Sequence, residues 1–152
     1  MLRVLPSLAL AGLAFVAACA APIEISRDFV TLADHDDDDD FRAITADDGR
    51  LWLRSFDDPN AAGIDFWAAT LEREFVEQRG YELLDQGAAF DADRREGRWL
   101  EFAANVDGER VGYLLAIWVD GGEVRVVEFA ARDAVFAARV ADVRAALRTV
   151  RG

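Results

Sequence analysis

Nine consecutive residues, Val111 to Val119, read V-G-Y-L-L-A-I-W-V and carry no charge. Successive side chains of a strand point to opposite faces of a sheet. Laid out as a strand, one face holds Val111, Tyr113, Leu115, Ile117 and Val119, and the other holds Gly112, Leu114, Ala116 and Trp118. A strand wet on one side alternates apolar with polar residues. This one does not, so the pattern predicts a strand covered above and below. The run is short for a buried helix, and Asp107-Gly108 and Asp120-Gly121-Gly122 bracket it as turns. The remaining chain has to supply a layer on each side.

Two segments have the spacing to do so. Over Asp65 to Arg79, residues Ile64, Trp67, Ala68, Leu71 and Phe75 recur at helical intervals, with Asp65 placed as N-cap and Gly80 as a left-handed stop. Over Asp133 to Val150, Phe136, Val140, Val143, Leu147 and Val150 form an apolar stripe, with Asp133 at the cap. The other elements read as strands. Ile23 to Leu32 is extended. Phe41 to Ala46 and Leu51 to Phe56 form a hairpin whose Asp48-Gly49 step suits a left-handed turn. Tyr81 to Leu84 is a short strand, and Asp85 to Gly97, polar and patternless, reads as a loop. Arg98 to Val106, the central strand and Glu123 to Ala131 then make an antiparallel meander. The predicted class is α+β: an antiparallel β-sheet with one helix on each face, a three-layer α/β/α sandwich.

The ends of the chain suggest a division. Residues 1–18 combine Arg3 with an apolar run from Val4 to Ala18, too short for the roughly 20 residues a membrane span takes, and fit a secretory signal. Residues 19–22 are a cysteine and a short tether, and residues 23–152 form a single domain. Val16-Ala17-Ala18-Cys19 resembles the lipobox of bacterial lipoproteins. That resemblance implies cleavage before Cys19, lipidation of its sulfur and a membrane anchor. Ala20 lacks the aspartate associated with inner-membrane retention, which implies the outer membrane in a Gram-negative host. Cleavage removes one arginine and no acid, leaving 16 − 29 = −13. A surface so acidic repels nucleic acid and anionic lipid headgroups, which excludes both as partners.

The element order resembles the PsbP/Mog1-like fold, which also occurs in small bacterial lipoproteins. The residues that carry the resemblance are Phe41-Arg42-Ala43 with the Asp48-Gly49 turn, Phe66-Trp67 opening a helix that ends in Gly80-Tyr81, the Gly112-Tyr113 strand, and Val126-Val127-Glu128 leading to a helix with Phe136. Members of that family scaffold photosystem subunits, bind a small GTPase or have no known role. The resemblance transfers no functional residue.

Catalytic equipment is scarce. Beyond residue 18 there are two serines, Ser26 and Ser55, one histidine, and no lysine, and lipidation of Cys19 removes the only thiol. No nucleophile elbow, phosphate loop or zinc-binding helix motif occurs. The expectation is therefore a non-enzymatic domain with no cofactor, anchored at Cys19 and acting by contact with an envelope protein. A small-ligand carrier with a pocket between sheet and helix is the alternative, and a carboxylate hydrolase stands behind both. Two local features are candidate sites. His35 with Asp36, Asp38 and the rest of the run to Asp40 offers oxygen ligands for Ca²⁺, but consecutive residues point apart and the spacing is not that of a calcium loop, so a solvated connection is the favoured reading. Arg50, Trp52 and Arg54 lie with Phe56 on one strand face, as a recognition strip for an anionic or aromatic ligand or, by the simpler reading, as a sheet face packed under a helix with the arginine heads in water. Trp67, Trp99 and Trp118 read as core, and Asp57, Asp58, Asn60 and Asp65 as turn and cap residues.

Overall fold

The structure is a computed structural model that describes residues 21–32 and 40–152. Cys19, His35, Asp36 and Asp38 lie outside the described residues. Among the described residues seven strands form one antiparallel sheet in the order β1-β2-β3-β7-β6-β5-β4. They are β1 (Phe29–Leu32), β2 (Phe41–Thr45), β3 (Arg50–Asp57), β4 (Glu82–Phe90), β5 (Glu96–Val106), β6 (Glu109–Asp120) and β7 (Glu123–Arg132). Helix α1 (Ile64–Arg73) continues into a wider π turn over Glu74–Gln78, and α2 (Asp133–Ala146) into a tight turn over Leu147–Thr149.

The central strand β6 is dry on both sides. Leu114, Leu115, Ala116, Ile117 and Trp118 are at most 2 % exposed. Its even residues join Phe41, Leu51, Leu53, Val127 and Phe129 in a core closed by Phe136 and Val143 of α2 and by Leu147 of the tight turn. Its odd residues join Leu100, Phe102, Val124 and Val126 in a second core, closed by Trp67 and Leu71 of α1 and by Phe75 of the π turn. One helix therefore roofs each face, as the uncharged run requires. Phe75 stacks on Phe102 at 5.0 Å and leans on Tyr113 at 4.9 Å, so the π turn closes its core with aromatic contacts.

Local details depart from the sequence reading. Residues 85–90 are strand, not loop: β4 runs to Phe90, opposite Glu96, and carries a bulge between Leu83 and Asp85 that interrupts the alternation a pattern search relies on. The connection shrinks to 91–95, closed by Asp91, whose carboxylate accepts from the Asp93 and Arg95 amides. Neither helix has the expected side-chain cap, because Gly63 and Arg132 stand at the N-cap positions and Asp65 and Asp133 fall inside the first turn. Asp58 does that work upstream of α1: it accepts from the Asn60 and Ala62 amides and from the Trp67 indole at 2.9 Å. In the β2–β3 turn the positive φ belongs to Asp48, not Gly49. Gly49 is required for space instead, since a β-carbon there would sit 2.7 Å from Thr45 Oγ1.

Candidate functional site

The two faces of the sheet are covered unequally. A helix about 10–12 Å wide spans only two or three strands spaced about 4.8 Å apart. Helix α1 lies over β5 and β6. On the same side, beyond β7, no helix among the described residues covers the outer strands β1 to β3. Val30, Leu32 and Ile44 are 63 %, 42 % and 36 % exposed there. The register puts all three on the face of Arg50, Trp52 and Arg54. The expectation that this arginine–tryptophan row packs under a helix is thus corrected: only the Phe56 end reaches α1, edge-on to Trp67 at 5.4 Å.

Strand pairing assembles the rest. Arg42 of β2 is the cross-strand partner of Trp52, and Arg54 lies two residues along β3. Their guanidinium carbons stand 4.8 and 4.5 Å from the indole ring centre. The Trp52 indole N–H donates to Asp40 Oδ2 at 3.1 Å, which sets the ring's orientation. Trp52 also faces Glu128 of β7. Glu128, its side chain 12 % exposed, lies 3.2 Å from Arg54 Nη2. It accepts a hydrogen bond from the Tyr113 hydroxyl on β6. Burial first, and then the Glu128 charge and hydrogen bond, hold the Tyr113 phenol far above the ordinary tyrosine range, so Tyr113 stays a donor. Among the described residues the buried Arg54 Nε has no hydrogen-bond partner, and Glu128 Oε2 has only the ion pair with Arg54 Nη2.

Arg50, Trp52, Arg54, Arg79, Tyr113, Glu128 and Ala130 line a hollow of about 370 Å³ between the sheet and the end of the π turn. Arg79 is held there by the Phe75 ring, 4.5 Å away, and by Glu74 at 3.3 Å. Next to it lies a hollow of about 300 Å³ lined by Leu32, Arg42, Ala43, Ile44, Leu51 and the shared Arg50 and Trp52. The pair forms one bipartite depression, apolar at the β1–β2 end and cationic at the π-turn end.

So the structure brings Arg50, Trp52 and Arg54 together. Residues missed in the sequence are Arg42, Arg79, Tyr113 and Glu128, and Asp40, read there only as the end of the acidic run, holds the Trp52 indole. One signal was present: Glu128 is a single charge inside the apolar run Val126 to Phe129. A charge in such a run needs a partner, and Tyr113 sits one strand away. A larger hollow of about 530 Å³ opens at the other end of β3, where Ser55, Asp57 and Glu123 surround Arg125. Among the described residues no histidine stands beside Ser55. Among the described residues no three His, Cys, Asp or Glu side chains are placed to hold a metal ion.

No protein-family model matches the sequence. No curated protein matches it either. Solved structures do. A Pseudomonas aeruginosa protein of unknown function, PA94, superposes with a TM-score of 0.60 at 12 % identity, over 82 % of this chain and 96 % of that one. Cyanobacterial PsbP (CyanoP) from Synechocystis sp. PCC 6803 gives a TM-score of 0.52 at 11 % identity over 76 % of each chain. A Bacteroides thetaiotaomicron protein gives 0.51 at 12 % identity over 86 % of this chain. The present chain spans 44 % of that longer protein. At these identities the likeness carries the fold and nothing further. The described residues have the PsbP-like fold, a seven-stranded antiparallel sheet between two helices, as the resemblance in the sequence implies.

Proposed function

We propose that this chain is a non-enzymatic binding domain, held at the bacterial envelope by a lipid on Cys19, that docks a protein partner through the open face of β1 to β3. The observation that carries this reading is the exposure of Val30, Leu32 and Ile44 side by side on a sheet face that α1 does not reach. Apolar side chains that adjoin on an exposed face mark interaction surfaces, whereas isolated ones mean nothing. The lipobox-like Val16 to Cys19 and the scarcity of nucleophiles support the anchoring and non-enzymatic parts of it. The test is photocrosslinking from position 44 in the native host, with Cys19→Ser as the anchoring control. A discrete adduct lost in Ile44→Asp supports the reading; a smear unaffected by that change counts against it.

A second reading, a carrier of small ligands, is favoured by the hollow of about 370 Å³ between the sheet and the π turn, which combines apolar walls with convergent polar groups. Native mass spectrometry of protein purified from its host separates the two, since a carrier retains a stoichiometric small molecule.

A further inference from the structure

We propose that the cationic hollow takes a carboxylate, presented by an acidic protein segment whose apolar neighbours lie in the adjoining hollow over Leu32 and Ile44; this deepens the docking reading above and rests on it. The charge distribution carries the argument. The chain has a net charge of −12, yet the lining of this hollow brings Arg50, Arg54 and Arg79 together with a single carboxylate, Glu128. That carboxylate is already engaged by Tyr113 and Arg54. The other acids nearby stand outside the lining. Asp48 pairs with Arg50 at 3.1 Å and Glu74 with Arg79 at 3.3 Å, both on exposed side chains. Pairs of that kind are held weakly in water, so the heads of Arg50 and Arg79 can turn to an incoming anion at little cost. The Arg54 side chain lines the hollow and is 38 % exposed, while its buried Nε has no hydrogen-bond partner among the described residues. A planar, partly exposed guanidinium is suited to a carboxylate oxygen.

The second hollow decides what the carboxylate is attached to. It is apolar, and it shares the walls Arg50 and Trp52 with the first. An occupant must therefore carry its charge beside an apolar group. Residues i and i+2 of an extended segment project on one side about 7 Å apart, so one segment can put a side chain into each of two hollows that share a wall. Both hollows are shallow and open to solvent, so a long acyl chain would stay largely wet there, and the protein's own negative charge repels an anionic bilayer. A segment of protein with an acidic residue between apolar ones satisfies every part of the depression.

The test uses the full chain in neutral detergent, with 2-naphthylacetate as the carboxylate probe and 2-naphthylacetamide as its uncharged counterpart. Nitrogen–proton NMR follows the Trp52 indole and the Arg54 Nε–H. The carboxylate is expected to bind about tenfold tighter than the amide at low salt, to shift both signals, and to lose that margin in Arg50→Gln/Arg79→Gln, two exposed changes that leave the core intact. Equal affinity for the two probes, or shifts confined to Trp67, Trp99 or Trp118, overturns the proposal. Crosslinking from position 44 then separates the inference from the reading beneath it. If Ile44→Asp abolishes the adduct and Arg50→Gln/Arg79→Gln does not, docking stands and the carboxylate assignment fails. If the probe binds but neither variant alters the adduct, docking through this face fails and with it the assignment to a protein segment. Self-association that disappears in Arg50→Gln/Arg79→Gln makes the occupant a second copy of the chain and also overturns it.

Discussion

Gly112 on β6 is the seat of Phe136 on α2: a β-carbon at position 112 would fall within the Phe136 ring. That ring in turn stacks on Phe129 of β7, centroids 5.5 Å apart and planes at 15°. Helix α2 approaches the sheet as closely as it does because one side chain is missing beneath it.

The first prediction concerns this contact. Gly112→Ala is expected to lower the unfolding free energy by about 2–3 kcal/mol, the cost of forcing extra volume into a packed core. Gly108→Ala, at φ +82° with nothing within 4 Å, carries backbone strain alone and should cost about 1 kcal/mol. Urea denaturation of the two variants checks the order. Phe136→Leu added to Gly112→Ala should recover part of the loss.

Tyr113 offers a pH signature. Its folded-state pKa is raised above the unfolded value near 10, chiefly by burial. Unfolding therefore releases a proton at alkaline pH. The stabilisation is complete below about pH 10 and declines above it, at up to roughly 1.4 kcal/mol per pH unit for this group. Tyr113→Phe should remove that alkaline decline. It should also cost about 1–3 kcal/mol at pH 7, because it leaves Glu128 without its hydroxyl donor. Chemical denaturation at pH 7 and pH 11 measures both effects.

Asp58 works on the acid side. Its carboxyl is held below the usual carboxylate range, first by the Trp67 indole and then by the backbone amides of residues 60–62. A depressed carboxyl stabilises the fold above its unfolded pKa, and that stability is lost as pH falls through the folded value. Asp58→Asn is expected to lower Tm at pH 7 and to flatten the acid limb of a Tm-against-pH profile. A wild-type slope below pH 4 in the variant would rule out this origin.

Arg125 and Asp91 make a fourth case. Arg125 is 5 % exposed and Asp91 3 %. Arg125 Nη1 stands 4.0 Å from Asp91 Oδ2 and Nη2 stands 3.6 Å from Glu123. Asp91→Ala leaves the buried guanidinium with Glu123 alone and frees the Asp93 and Arg95 amides, so a loss of about 2–3 kcal/mol is expected. Arg125→Met combined with Asp91→Asn should cost less than the single Asp91→Ala change, because no buried charge then lacks a buried partner and the residue at 91 can still accept from the two amides. Thermal unfolding of the three variants distinguishes pairing from simple packing.

Much of the fold was legible because it follows from short-range periodicity. The uncharged run of β6 required two roofs, and the stripes through Phe75 and Phe136 supplied them. Strand β4 was legible only up to Leu84, since its bulge breaks the alternation and its edge position leaves Asp85, Gln86 and Ala88 exposed. At the candidate site, Arg50, Trp52 and Arg54 were legible because they share one strand, whose two-residue period is local. Arg42, Tyr113 and Glu128 were not, because each comes from a different strand.

By itself the sequence determined the layers, through the spacing of apolar side chains along each element, which is a property of neighbours in the chain. Which strands lie side by side was decided only in the tertiary structure. Placing β3 next to β7 brings Arg54 to Glu128 and Trp52 opposite it, and placing α1 over β5 and β6 leaves Val30, Leu32 and Ile44 uncovered. The physical reason is that burial rewards any arrangement that keeps the same faces dry, whereas charge pairing and an open binding face depend on strand order and register.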